Sequence, residues 1–385
     1  MALSGEKVGI PEADEAPVVV LPRWKQPVAG LVSLVITLVV TILVWLIPGM
    51  SIMGSLLGGF GLMSVLFSIW FENWPFYDKL RTPWKVGLAS TIVNVVVAFL
   101  FFYLASFFGV IYGSAIGISD TTTAVAVGWA IFGALSASCF SFAVLWLAGT
   151  MYWPWFDRKQ PGRGVRVFIL GWVITLVAWF LLFYPYGNPS ATLADPLTWV
   201  LPQYGINMAW TQWIIFFSLL TLMVFEYAPW SRAGRQPIIG IVAFVGCVIL
   251  GFVWVFVAGI VGFMVTLPIF LMFYPAPAPG AEVAAVGIWN VVYADWLIAA
   301  VIVVALFFDN WPKGYSQKVN LFIRLVTVVI LGTIFFFGFY LIAPFIGFSG
   351  DPFTDIPTAF MLVLLWVELV FAYLWRKWPV YTTME

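Results

Sequence analysis

Ten apolar runs, each about twenty residues long, follow one another from near residue 27 to near residue 377 with short interruptions between them. As a helix, a run of that length crosses a hydrocarbon core about 30 Å thick. Backbone in lipid must satisfy its own hydrogen bonds, so helices are the natural way to thread such runs. The fold class expected is therefore an all-α polytopic membrane protein, with helices predicted at 27–49, 53–73, 84–111, 125–153, 164–186, 208–228, 237–263, 286–309, 318–346 and 357–377. Composition agrees: 63% of the 385 residues are hydrophobic and 9% are charged, whereas a soluble chain has about 45–50% and about a quarter. The seventh run continues through "TLPIFLMFYPAPAPG", where Pro268, Pro275, Pro277 and Pro279 predict a break into a helix and an interfacial or re-entrant piece.

Charge sets the orientation. Lys and Arg stay on the cytoplasmic side of a membrane protein. All 17 of them fall in the N-terminal tail, at the C-terminal end, or in and near loops that follow even-numbered helices. The loops after odd-numbered helices contain none, yet hold Asp120, Asp195, Glu282, Asp351 and Asp355. Both termini are therefore expected in the cytoplasm. Residues 1–26 read as a polar cytoplasmic tail, too acidic for a secretory signal peptide, and 27–385 as a single transmembrane domain. The lipid bilayer is the certain partner. The location expected is the cell membrane, the cytoplasmic (inner) membrane in a bacterium or archaeon.

A short signature recurs where even-numbered helices end: "FENWPF" at 71–76, "MYWPWF" at 151–156, "FEYAPW" at 225–230, "FDNWPK" at 308–313 and "WRKWPV" at 375–380. Its prolines, Pro75, Pro154, Pro229, Pro312 and Pro379, are 79, 75, 83 and 67 residues apart. One helical hairpin per period predicts five parallel hairpin repeats, at about 27–83, 84–163, 164–236, 237–317 and 318–385. An inverted five-plus-five plan would put half of the signatures on the opposite face. Trp74, Trp153, Trp311 and Trp378 suit the headgroup level, where an apolar ring and a polar N–H are both satisfied, and the Pro stops the helix. Glu72, Glu226 and Asp309 sit at helix C-termini, where the macrodipole disfavours negative charge. Each precedes a basic loop, so a local ion pair is expected. The sharper alternative is a cytoplasmic ring of acids that binds a cation or partner.

Three ionisable residues stand out well inside the predicted helices, away from their ends. Arg324 and Glu368 lie at matching depths from the same face of the last hairpin, which predicts a buried ion pair between them. Asp295 lies in the outer half of helix 8 with no basic residue predicted at its depth. Such a carboxyl is protonated, faces water or holds a cation, and it is the one candidate for substrate or ion coupling. Asn94, Asn290, Gln212 and the glycines of "GSLLGGFG" (54–61) read as interhelical packing groups.

The chain has no His, which removes the usual haem ligand, the usual zinc and copper ligand and the commonest general base. Cys139 and Cys247 both lie inside apolar runs and read as packed thiols rather than a disulfide or cluster site. There is no phosphate-binding loop of the Walker type, no Lys in mid-helix, and a net charge of zero that gives no pull toward nucleic acid. No cofactor, no metal and no catalysis are expected. What remains is a transporter or channel-like protein for a small organic or apolar solute, proton- or cation-coupled through Asp295. The alternative is a non-catalytic subunit or scaffold that anchors membrane or extracytoplasmic partners, docked through the outer loops 186–207 and 347–359.

Overall fold

The computed structural model describes residues 20–80, 82–115, 117–183, 196–274, 278 and 280–383. Most of the tail, and the prolines at 275, 277 and 279, lie outside that set. So does the 184–195 part of the first outer loop, with Asp195. Among the described residues nine helices are long and apolar enough to cross a membrane. They are α1 Val28–Trp45, α2 Met50–Trp70, α3 Pro83–Ala115, α4 Thr121–Gly149, α5 Gly162–Phe183, α6 Ile206–Val224, α7 Ile238–Leu271, α8 Ala281–Phe307 and α9 Gln317–Ile346. A shorter apolar helix, α10 Thr358–Leu374, follows. Two short strands, β1 Val20–Pro22 and β2 Tyr381–Thr383, pair antiparallel and bring both chain ends to one place.

Three sequence boundaries move. The helix that carries α6 begins at Pro196, so the second half of the stretch expected as an outer loop is helical. The second outer loop folds back on itself: Asp355 accepts from the Ser349 and Gly350 amides, and Trp289 Nε1 donates to Pro352 O at 3.0 Å. Pro268 does not break α7. A π turn at Gly262–Thr266 precedes it, and the helix runs on to Leu271. A wider turn of that kind accommodates a residue that cannot donate its own backbone bond.

The helices form two layers. Between 61% and 72% of the spanning residues of α2, α4, α6 and α8 are buried, against 22–39% for α1, α3, α5, α7 and α9. The buried helices pack in a closed ring, α2 on α4, α4 on α6, α6 on α8, α8 on α10 and α10 on α2. The last junction is the tightest: a Cβ on Gly58 would stand 2.9 Å from the Leu362 backbone, and one on Gly61 would enter the Trp366 ring. Small residues let membrane helices approach this closely. Asn94 secures the same junction, taking the Trp366 indole N–H at 2.6 Å and donating to Gly61 O at 2.9 Å.

Each outer helix starts beside the end of an inner helix two places back around the ring. Gly30 of α1 lies against Phe308, Gly87 of α3 against Trp375, Gly164 of α5 against Phe71 and Gly240 of α7 against Thr150. At the fifth position Arg324 of α9 reaches Val224 O. Three of these starts share a device. Gln26, Gln160 and Gln236 donate to Phe307 O, Trp70 O and Gly149 O at 2.9–3.0 Å, and each accepts the amide of the glycine four residues on. One side chain thus satisfies an orphan carbonyl of one helix and an orphan N–H of another.

The recurring signature is one turn built five times. The two residues before the Trp or Ala are left-handed in every copy: Glu72 and Asn73, Met151 and Tyr152, Glu226 and Tyr227, Asp309 and Asn310, Arg376 and Lys377 (φ 46° to 67°). The proline that follows each is cis. Non-glycine residues in this region cost about 1–2 kcal/mol each, and the helix ends repay part of that by wide closing bonds such as Asn73 N–H to Ser68 O at 2.8 Å and Tyr152 N–H to Leu147 O at 2.9 Å.

Candidate functional site: the central cavity

The ring of inner helices encloses a cavity of about 750 Å³. On α8 its lining extends from Ala284 to Ile302, about 27 Å at helical rise. Toward the five turns it ends at Leu62, Phe140, Leu219, Ile302 and Leu369, short of the helix ends, while on the other side it reaches Ser55, Ala284 and Ile356, near the starts of α2, α8 and α10. The cavity thus lies nearer the acid-bearing loops than the basic ones.

The walls are mostly aliphatic and aromatic, with a few polar groups: Ser55, Ser136, Gln212, Asn290, Asp295 and Thr358. Most of the polar groups with recorded partners are used structurally. Asn290 accepts from Trp213 Nε1 at 2.7 Å and donates to Val255 O at 2.8 Å; Ser136 donates to Gly59 O at 3.4 Å. Among the described residues Gln212 makes a long contact to Met208 Sδ at 3.6 Å.

Asp295 stands apart. It is 1% exposed, and its Oδ2 is buried with no hydrogen-bond partner among the described residues. Helical spacing puts Ala284, Ile288, Val291, Asp295, Ile298 and Ile302 on one stripe of α8, and all six line the cavity. The sequence placed it in the outer half of its helix. Because α8 begins at Ala281 and ends at Phe307, Asp295 is instead at the midpoint, fourteen residues from the start.

Arg324 and Glu368 are not partners. The Arg324 guanidinium donates to Val224 O at 3.1 Å, to Pro312 O at 3.2 Å and to Glu226 Oε1 at 3.2 Å. Glu368 is fully buried, and neither carboxyl oxygen has a partner among the described residues. Equal depth misled because α9 lies over α8 and the π turns of α6 and α8, so Arg324 faces away from α10. Glu368 borders α10's cavity-lining stripe of Leu362, Leu365 and Leu369 without being part of it.

The signature acids do find cations, and among the described residues these come from farther along the chain than the loops that follow them. Glu72 pairs with Arg163, Glu226 with Arg324 and Asp309 with Lys377, the last at 2.7 Å. Asp309 also accepts from Tyr381 Oη and from Gln26 Nε2, which joins the two chain ends to the α8 turn. The fifth turn, with Arg376 at the acid position, places that guanidinium 3.6 Å over the Tyr77 ring. Trp74, Trp153, Trp311 and Trp378 are 37–46% exposed at this rim, as headgroup-level anchors would be. Among the described residues the three signature acids are paired and form no ring of free carboxylates there. Compared with protein-family models, with curated proteins and with solved structures, the chain matches none.

Proposed function

We propose that this integral membrane protein is a transporter that carries a small, mainly apolar organic solute through the centre of the ring, coupled to a proton or cation at Asp295. The observation that carries the reading is a buried mid-helix carboxyl, whose Oδ2 has no partner among the described residues, on the stripe that lines a 750 Å³ cavity. An ionisable group at such depth is costly unless it works or is paired. Cavities of this size, apolar with few polar groups, are those that hold small ligands.

The chain is read as five parallel hairpins of one outer and one inner helix, with the turns, the basic loops and both termini in the cytoplasm and the cavity nearer the opposite side. The repeated turn geometry and the Lys and Arg partition support that arrangement. No catalysis and no cofactor are proposed. The reading favours a cytoplasmic membrane, and the host decides which. A scaffold role in a larger complex is the competing reading; isolation of the protein with a stoichiometric partner, and without solute movement, is the result that favours it.

The test is reconstitution into liposomes that enclose a pH-sensitive dye, with a panel of small neutral organic solutes added under an imposed pH gradient. At least one solute should move protons, and Asp295→Asn should abolish the signal while leaving the protein folded. Solute-driven proton movement that persists in Asp295→Asn removes the coupling role. Solute flux without any proton or cation movement removes it as well.

A further inference from the structure

A second cavity, of about 650 Å³, lies between the outer helices α7 and α9, against α6 and α8 behind them. Its rim residues Leu250, Val265 and Val329 are 36–50% exposed on outer helices, which in a bilayer face hydrocarbon. Whatever enters must therefore already be dissolved in the membrane. Among the described residues no charged side chain lines this cleft, so an ionic headgroup meets a strong desolvation cost there.

Its walls are unusually aromatic. Phe217, Trp254, Tyr293 and Phe337 contribute partly exposed rings, backed by the fully buried Trp213 and Phe336, and ring faces favour flat, unsaturated partners by offset stacking. Several polar side chains interrupt them, among them Thr221, Thr266, Asn290, Tyr293 and Thr333. Tyr293 Oη and Thr333 Oγ1 are 3.0 Å apart, and the buried indole N–H of Trp230 has no partner among the described residues. A carbonyl or hydroxyl oxygen supplies what Trp230 lacks.

The cleft and the central cavity share a wall. Asn290 borders both, held by its bonds to Trp213 and Val255 O. One side-chain layer therefore separates a membrane-facing cleft from the cavity that contains Asp295.

We propose that the α7–α9 cleft binds a neutral, unsaturated isoprenoid-type molecule that bears one hydroxyl or carbonyl oxygen, and that Asn290 is the door through which it reaches the central cavity. The binding site stands by itself; its use as an entry route rests on the transport reading above.

The experiment uses the full chain in nanodiscs of saturated phospholipid with diazirine-bearing geranylgeraniol as photoprobe, and peptide mapping as readout. Labelling should concentrate on the α7 and α9 segments that border the cleft, around Trp254–Val265 and Leu325–Phe337. Unlabelled geranylgeraniol should compete, and hexadecanol should not. Val329→Trp, at the lipid-facing rim where a larger ring is tolerated, should lower that labelling at least fivefold. Labelling spread equally over the exposed faces of α1, α3 and α5, or labelling that geranylgeraniol does not compete, overturns the site.

Asn290→Ala should extend labelling to Ile215 and Ile302 in the central cavity. Labelling confined to the cleft in that variant overturns the door, as does solute uptake that survives Val329→Trp once cleft labelling is lost. Asp295→Asn should not change cleft labelling, so loss of transport and loss of the site are read separately.

Discussion

Arg324 gives the most quantitative check on how this bundle is held together. Its side chain is 4% exposed and makes three hydrogen bonds, two of them to carbonyls, Val224 O and Pro312 O, that end other elements. Arg324→Leu removes the donors and leaves those carbonyls short of a partner. Each orphaned buried group costs about 1–3 kcal/mol. Glu226, 58% exposed, returns to water and adds less than about 1 kcal/mol. The expected loss is therefore about 2–6 kcal/mol, with most of it carried by the backbone. Glu226→Gln alone should cost below about 1 kcal/mol. Glu368→Gln should be additive with Arg324→Leu within about 0.5 kcal/mol, as for sites that share no partner. The assay is reversible unfolding in mixed micelles of mild detergent and SDS, followed by Trp fluorescence, for the single variants and the Arg324–Glu368 double-mutant cycle. A coupling above about 1 kcal/mol between Arg324 and Glu368 would refute the assignment of their partners, and so would an Arg324→Leu variant as stable as the parent.

Two further predictions concern the two faces of the bundle. Thr122→Cys and Ser316→Cys, both exposed and at opposite ends, should differ in labelling by an impermeant maleimide added to intact cells, with Thr122→Cys reactive; native Cys139 and Cys247 are buried and silent, and equal labelling of the two sites would sink the topology. At the start of α4, Asp120 accepts from the Thr123 hydroxyl and the Thr123 amide, each at 2.7 Å, and these bonds hold its carboxyl below the usual carboxylate range. The sign is that of a depressed acid: the cap contributes fully above the unfolded value near 4 and is lost as pH falls through the folded one. The thermal stability difference between the parent and Asp120→Ala should accordingly shrink on acidification below about pH 4, and a difference independent of pH would exclude the carboxylate cap.

Much of the architecture is legible along the chain because it rests on local chemistry. Twenty-residue apolar runs, the partition of Lys and Arg and the recurring Trp-Pro ends each depend on neighbours in sequence. The partners are not legible, because the outer helices cross two inner ones. Glu72 meets Arg163, 91 positions on, and Glu226 meets Arg324, 98 positions on, although basic residues stand much nearer in the chain. Depth in the membrane is readable from residue counts, but the direction a side chain faces around the ring is not. That is why Arg324 and Glu368 match in depth and never meet. Asp295 illustrates the reverse case: periodicity alone identifies its stripe, whereas its depth required the true start of α8 at Ala281.

The closure of the ring has a consequence in time. The glycine face of α2 fits against Leu362, Val363 and Trp366 of α10, and these residues are made roughly 300 positions later. At about 5–20 residues per second, that face waits something like 15–60 s for its α10 neighbour. Over that interval its glycines, which leave the α2 backbone accessible, meet lipid or an assembly factor instead. Seven intervening helices enter the membrane while the ring is still open, and the finished bundle forms only when the last helix slots beside one of the first.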